Sequence, residues 1–100
     1  MKIRTAGTIF ERLRGLIGAP PLEPGEALLL PRCRGIHTFG MAYPIDAVFL
    51  DKTKTIVRMI EKMTPNKIGP VSWRADAVLE LPSGTIEKMK LRLGDKFCFS

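Results

Sequence analysis

The chain has no long apolar run. Its longest uninterrupted apolar stretches are four residues each, at 27–30 and 47–50. A helix that crosses a bilayer needs roughly 20 apolar residues, so the sequence excludes a membrane-spanning helix. The first four residues carry two charges, and no apolar segment of signal-peptide length follows them. A cleaved signal peptide is therefore not expected.

Cysteine is scarce. Cys33 and Cys98 lie far apart, and their spacing fits neither a zinc ribbon nor a redox motif. A disulfide-rich secreted scaffold is thereby excluded, and we expect two free thiols in a cytoplasmic protein. Cys98 lies between two phenylalanines, and we interpret it as an inert small hydrophobe.

Acidic and aromatic residues are also few. The chain has 16 Lys and Arg against 10 Asp and Glu, a net charge of +6, and 7% aromatic residues. Such a charge favours anionic partners in general. The cations are spread along the chain, however, and no basic run has the interleaved rings typical of a single-strand binder. A solvated basic surface is favoured over nucleic-acid binding, which stays the second alternative.

A chain of 100 residues with 45% apolar composition predicts one domain over 1–100. A helix is predicted from Thr8, where Glu11 completes a capping box, to about Gly18. Strands are predicted at 2–4, 27–30, 46–51, 55–62, 75–81 and 96–99, with a short helix as the alternative at 75–81. Residues 85–90 favour a helical turn over a strand. These elements predict an α+β fold with a mainly antiparallel sheet.

The segment 31–46 concentrates the chemically versatile residues. It contains the only histidine, His37, and the only tyrosine, Tyr43, together with Cys33, Thr38 and Asp46. A connector of this length without periodicity is usually functional or mobile. The favoured interpretation is nevertheless structural: His37 and Thr38 tie loop backbone to the sheet. Cys33, Phe39 and Met41 would then fill the core.

Three sharper hypotheses compete for this segment. Cys33, His37 and Asp46 could form a thiolate–imidazole–carboxylate set. Cys33 and His37 could bind a metal with a carboxylate, although this spacing supplies only two ligands. The loop between Gly35 and Gly40, together with the preceding Arg32 and Arg34, could also bind an anion through backbone N–H groups.

Three residues outside a simple core pattern add to the candidates. Asp46 is predicted to cap loop N–H groups or to pair with Arg14, Arg34 or Arg74 rather than to act as a base. Glu80 lies inside an apolar strand, and the same structural and catalytic interpretations apply to it. Its side chain could also be exposed to solvent on an edge strand. Trp73 could roof a pocket or, more commonly, close the core.

Several motifs together resemble a bacterial and archaeal family known as domain of unknown function 192, DUF192. They are Arg-Leu-Arg-Gly-Leu at 12–16, Gly-Glu-Ala-Leu-Leu at 25–29, Ile-His-Thr-Phe-Gly-Met at 36–41, Pro-Ile-Asp-Ala-Val-Phe-Leu-Asp at 44–51, Ala-Val-Leu-Glu-Leu at 77–81, Gly84, and Gly-Asp at 94–95. The resemblance covers nearly the whole chain.

The resemblance implies a small α+β domain with a curved, partly barrel-like sheet, and it supplies no established reaction. Arg14, Asp46 and Glu80 are among the most visibly shared positions, which implies a buried ionic set or a ligand pocket. Many relatives have a Trp and an Asn-Thr pair around the position of Met41, where this sequence has Phe39 and Ala42-Tyr43. This departure argues against a universal catalytic role for His37.

The sequence thus favours a non-enzymatic binding or interaction module for a small molecule or a protein, with a site near the 32–46 loop. The candidate ligand-binding residues are Arg14, Cys33, His37, Thr38, Asp46, Trp73 and Glu80, and no metal or cofactor is implied. The main alternative is a small hydrolase or transferase that uses Cys33 or His37.

Overall fold

The computed structural model of the protein describes residues 1–7 and 20–97. These ranges contain β1 (Lys2–Thr5), β2 (Glu26–Pro31), β3 (Ile45–Leu50), β4 (Ile56–Met63), β5 (Ala77–Pro82) and one short helix, α1 (Thr85–Met89). Each lies where the sequence predicted a strand or a helical turn, which confirms those predictions. The helix predicted at 8–18 and the end of the strand predicted at 96–99, Cys98 included, lie outside the described residues. Lys96 pairs with Thr55 in an isolated bridge.

The five strands form one mixed sheet in the order β1-β2-β5-β3-β4. Three pairings are antiparallel, whereas β1 runs parallel to β2 with Lys2 opposite Glu26. Among the described strands no pairing joins β1 to β4, so the sheet is open and the expected partly barrel-like closure is wrong. The α+β prediction holds only in a coarser form, a small single domain dominated by one sheet.

Both faces of the sheet are covered. All six residues of β3 are buried, as its apolar residues on both faces predicted. Because side chains alternate between faces along a strand, two core clusters form. The cluster on the first face includes Leu28, Ala47 and Phe49. The cluster on the second face includes Val48 and Leu79.

This alternation places Asp46 and Glu80 on opposite faces. Glu80 pairs in register with Leu28 on one side and with Ala47 on the other, so all three side chains lie on the first face. Asp46 precedes Ala47 in β3 and therefore belongs to the second face, with Val48. A set that joins both carboxylates, as the family resemblance implied, is not formed. Arg14, its third member, lies outside the described residues.

Candidate binding face

Two loops that are distant in sequence pair with each other through their backbones. The N–H groups of Ser72, Gly69 and Thr38 donate to the carbonyls of Arg34, Ile36 and Lys67, each at 2.8 Å. His37 lies opposite Ile68 in an isolated antiparallel bridge. We call this pairing of residues 34–38 with 66–72 the loop ladder. It joins the 32–46 segment to the Pro- and Gly-rich loop before β5.

Gly69 explains why the two loops can approach so closely. A Cβ atom at this position would lie 2.8 Å from Ile36 Cγ2 and 3.1 Å from the Ile36 carbonyl oxygen. Real Cβ atoms do not approach other heavy atoms at the shorter of these distances, so a side chain at this position would force Ile36 to shift. The same construction at Gly35 meets Val71 Cγ2 at 3.4 Å, an ordinary contact.

Thr38 anchors the ladder from the inside. Its side chain is fully buried. Its hydroxyl donates to the Thr64 carbonyl at 2.7 Å and accepts from the Lys67 N–H at 2.9 Å. The sequence correctly predicted that Thr38 ties loop backbone, although the tie is to another loop rather than to the sheet. A hydroxyl used in this way is not offered to a ligand.

Of the three residues of this segment that were predicted to fill the core, Met41 and Cys33 pack against it and Phe39 does not. Met41 is buried, and Cys33 is half-buried against the first-face cluster. The free Cys33 thiol donates to the Gly35 carbonyl at 3.4 Å. The prediction for Phe39 is wrong, because its ring is 47% exposed and stacks at a tilt on the exposed His37 ring, with centroids 5.6 Å apart. Alternation explains this: Ile36 and Thr38 point inward, so His37 and Phe39 point outward.

The loop that contains residues 66–72, and Trp73 directly after it, expose large apolar side chains. Ile68 is 75% exposed, Val71 53% and Trp73 78%. The prediction that Trp73 closes the core is therefore wrong. We call these three residues with Phe39 the loop face. They were not recognised together in the sequence, because Ile68 and Val71 stand singly in a Pro- and Gly-rich loop.

A groove of about 320 Å³ borders Trp73. Its charged lining residues are Arg34, Lys52, Arg74, Asp51 and Asp76. We call it the Trp73 groove. Arg34 is held in place because its Nε donates to the Ala75 carbonyl at 3.3 Å.

Asp51, at the rim of the Trp73 groove, is committed to a turn. Its Oδ1 accepts from the Thr53 hydroxyl at 2.7 Å, the Thr53 N–H at 2.8 Å and the Thr55 N–H at 3.0 Å. These bonds, the Thr53 hydroxyl first, lower the pKa of Asp51, and the charge of Arg74 adds to the effect. The carboxylate therefore stays ionised at neutral pH.

Asp46 has a structural role. It is fully buried, and its two oxygens accept from the backbone N–H groups of Lys62 and Ile86, both at 2.8 Å. No described cation lies within ion-pair distance, so of the two predicted roles Asp46 has that of a backbone cap, although the N–H groups belong to β4 and α1 rather than to a loop. The pairing with Arg34 or Arg74 is not formed.

Glu80 is the buried carboxyl that the described structure leaves unsatisfied. It is 2% exposed, because β5 is the central strand of the sheet and not an edge as the solvent interpretation required. Its Oε1 has no hydrogen-bond partner within residues 1–7 and 20–97. Burial raises its pKa from 4.5 to about 7. Burial, and then the charge of Glu80, also raises the pKa of Tyr43.

The side chains required by the catalytic and metal hypotheses for the 31–46 segment are not brought together. Both oxygens of Asp46 accept hydrogen bonds from backbone N–H groups on the second face of the sheet. Cys33 packs on the first face, and His37 lies at the surface. The described residues contain no group of three His, Cys, Asp or Glu side chains placed to hold a metal ion.

Two of the loop N–H groups proposed for an anion donate to other protein groups, and so does the N–H of Met41. The Thr38 N–H donates to the Lys67 carbonyl, the Gly40 N–H to Asn66 Oδ1, and the Met41 N–H to the Thr38 carbonyl. The Thr38 and Gly40 N–H groups are therefore not available to an anion. No helix within residues 1–7 and 20–97 has the length and apolar character needed to cross a bilayer.

Comparison with known proteins finds similar sequences and folds. The sequence model of DUF192, described as "Uncharacterized ACR, COG1430", matches residues 1–99. A UPF0127 protein from Thermococcus sibiricus is 28% identical over 99 residues, which are 95% of this chain and 64% of that protein. The chain thus spans less than two thirds of that relative.

Two solved structures share the fold, each with a TM-score of 0.83. A protein of unknown function from Novosphingobium aromaticivorans is 21% identical, and the match covers 94% of this chain and 71% of that one. A protein from Sinorhizobium meliloti, provisionally named a transcription regulator, is 23% identical, with 94% and 78% covered. At these identities the similarity establishes the fold alone.

Proposed function

The chain belongs to the DUF192 family, and we propose that it is a non-enzymatic binding module that holds a partner polypeptide on its loop face. One observation carries the proposal: large apolar side chains are exposed on the two paired loops or directly next to them, namely Phe39, Ile68, Val71 and Trp73. Scattered exposed apolar residues are normal in soluble domains, but a grouped set with a polar rim is typical of an interaction site.

The loop face is held ready for binding. Backbone hydrogen bonds fix the two loops against each other, and the buried Thr38 hydroxyl joins them a second time. A surface that is ordered before binding loses less conformational entropy when the partner docks. This supports a docking role for the face.

The charge around the loop face supports a partner other than a second copy of the chain. Exposed Lys67 precedes Ile68 and exposed Arg74 follows Trp73 in the sequence, and the whole chain carries +6. A symmetric dimer through this face would bring the same cations together. Like charges that face each other across an interface cost several kcal/mol, roughly, in the absence of compensation. The complementary partner is therefore a different polypeptide.

Two observations at Asp46 and Cys33 support a non-enzymatic role and a cytoplasmic location. The enzyme alternative needs Cys33 or His37 beside an orienting group, and Asp46 is engaged elsewhere. Cys33 is a free thiol, as a reducing compartment would leave it. We therefore keep a cytoplasmic location as part of the proposal.

Selection from a phage-displayed library of random peptides tests the proposed function. The native chain should enrich peptides whose binding is lost in a triple variant, Phe39→Ser, Ile68→Ser and Val71→Ser. These residues are exposed, so the variant should keep its unfolding midpoint. The control variant, Met89→Ser with Leu93→Ser, removes exposed apolar residues elsewhere and should bind like the native chain. No enrichment, or enriched peptides that bind all three proteins equally, would overturn the proposal.

A further inference from the structure

The Trp73 groove combines an exposed indole with cations that form no ion pair within 4 Å among residues 1–7 and 20–97. In the described part of the chain the ion pair within 4 Å is Lys62 with Glu87, at 3.7 Å. None of Arg34, Lys52 and Arg74 has a described carboxylate at that distance. Cationic side chains around an exposed tryptophan favour a ligand that offers both an anionic and an apolar group.

The charge of the groove limits how many negative charges it can accept. Three cations and the carboxylates of Asp51 and Asp76 leave a net charge of 3 − 2 = +1. Asp51 stays ionised because its turn hydrogen bonds lower its pKa. A chain of closely spaced phosphates would meet these two carboxylates at once. One or two separate carboxylates can instead be placed on the arginines.

We infer that the Trp73 groove receives an acidic segment of the partner, with Asp or Glu carboxylates on Arg34 and Arg74 and a neighbouring aromatic side chain against the Trp73 indole. Guanidinium groups suit this role because they bind carboxylates with two parallel hydrogen bonds. Arg34 is also pre-positioned by its bond to the Ala75 carbonyl. This inference rests on the proposed function and names the chemistry of the partner.

Fluorescence provides a direct test, because Trp73 is the only tryptophan in the chain. The probe is a short peptide in which a Phe lies between two Glu residues. Its binding should shift the Trp73 emission to shorter wavelength and saturate. The matching peptide with Lys in place of Glu should give no saturable change.

Charge-removing variants assign that binding to the groove. Arg34→Gln and Arg74→Gln should each weaken the acidic peptide about tenfold, because each removes a charge-assisted hydrogen bond. Lys88→Gln, on the exposed side of α1, should leave binding unchanged. Equal binding to all variants, or no saturable binding, would overturn the inference. Tighter binding of a short oligothymidylate, lost in the same arginine variants, would also overturn it and indicate a nucleic-acid site.

The failure of this inference is distinguishable from that of the proposed function. Library peptides that need Phe39, Ile68 and Val71 but are indifferent to Arg34→Gln and Arg74→Gln would leave the docking face standing without an acidic partner. An acidic peptide that needs the arginines, with no library peptide that needs the apolar residues, would leave the groove as a carboxylate site without a docking face.

Discussion

The Asp46 carboxylate accepts a hydrogen bond from the backbone N–H of Ile86 at 2.8 Å, across 40 residues of sequence. Ile86 lies in the first turn of α1, whose N-cap is Gly84, a residue without a capping side chain. The other Asp46 oxygen accepts from the Lys62 N–H, at a register shift between β3 and β4. One buried side chain thus joins β3, β4 and α1.

Replacing this carboxylate should be costly. Asp46→Ala leaves the Lys62 and Ile86 N–H groups without their partner, which should lower the free energy of unfolding by about 3 kcal/mol. Urea denaturation measures the loss, and faster hydrogen exchange of the Ile86 amide would locate it. The control is Asp95→Ala, because Asp95 accepts from the exposed Arg92 N–H and its loss should cost less than about 1 kcal/mol. Equal losses in the two variants would contradict the structural role of Asp46.

The buried Glu80 should make stability depend on pH. Its pKa is raised to about 7 in the folded chain, so folding favours the protonated carboxyl. The stabilisation is complete below the ordinary pKa of 4.5 and is lost as the pH rises through 7. A pKa raised from 4.5 to about 7 corresponds to about 3 kcal/mol of stabilisation. Glu80→Gln, which cannot ionise, should therefore lose less stability between pH 5 and pH 8 than the native chain. Parallel stability curves for the two proteins would contradict the assignment.

The loop ladder should depend on the missing side chain of Gly69. Gly69→Ala places a Cβ 3.1 Å from the Ile36 carbonyl oxygen as well as against its side chain. The Ile36 backbone cannot move away easily, because its carbonyl is hydrogen-bonded to the Gly69 N–H. We expect a loss of about 1–3 kcal/mol in the free energy of unfolding, with weaker binding at the loop face. Gly35→Ala is the matched control, since its nearest contact is ordinary. Its midpoint of thermal unfolding should be unchanged or slightly higher.

Local sequence patterns were sufficient to predict the strands. The apolar residues 47–50 place β3 in the interior of the sheet, and the short connection at 52–54 predicts its hairpin with β4. Both features depend on residues close in sequence. The parallel pairing of β1 with β2 was not predicted, because it depends on contacts between segments more than twenty residues apart.

The candidate site was only partly predictable for the same physical reason. The 32–46 segment was selected for its composition, but the side chains it exposes depend on its pairing with 66–72. Asp46 was predicted as a cap without its partners, since Ile86 becomes a neighbour only when α1 folds against β3. Trp73 was interpreted as a core residue because it is large and apolar. The local sequence does not show that its side chain points outward from the loop.

Backbone amide chemical-shift mapping of the native chain, titrated with a peptide selected from the library, tests the docking face most directly. The shifts should be concentrated at residues 34–40 and 66–76, with residues 56–63 and 85–89 unaffected. Shifts centred on β4 and α1, or spread evenly over the sheet, would contradict it.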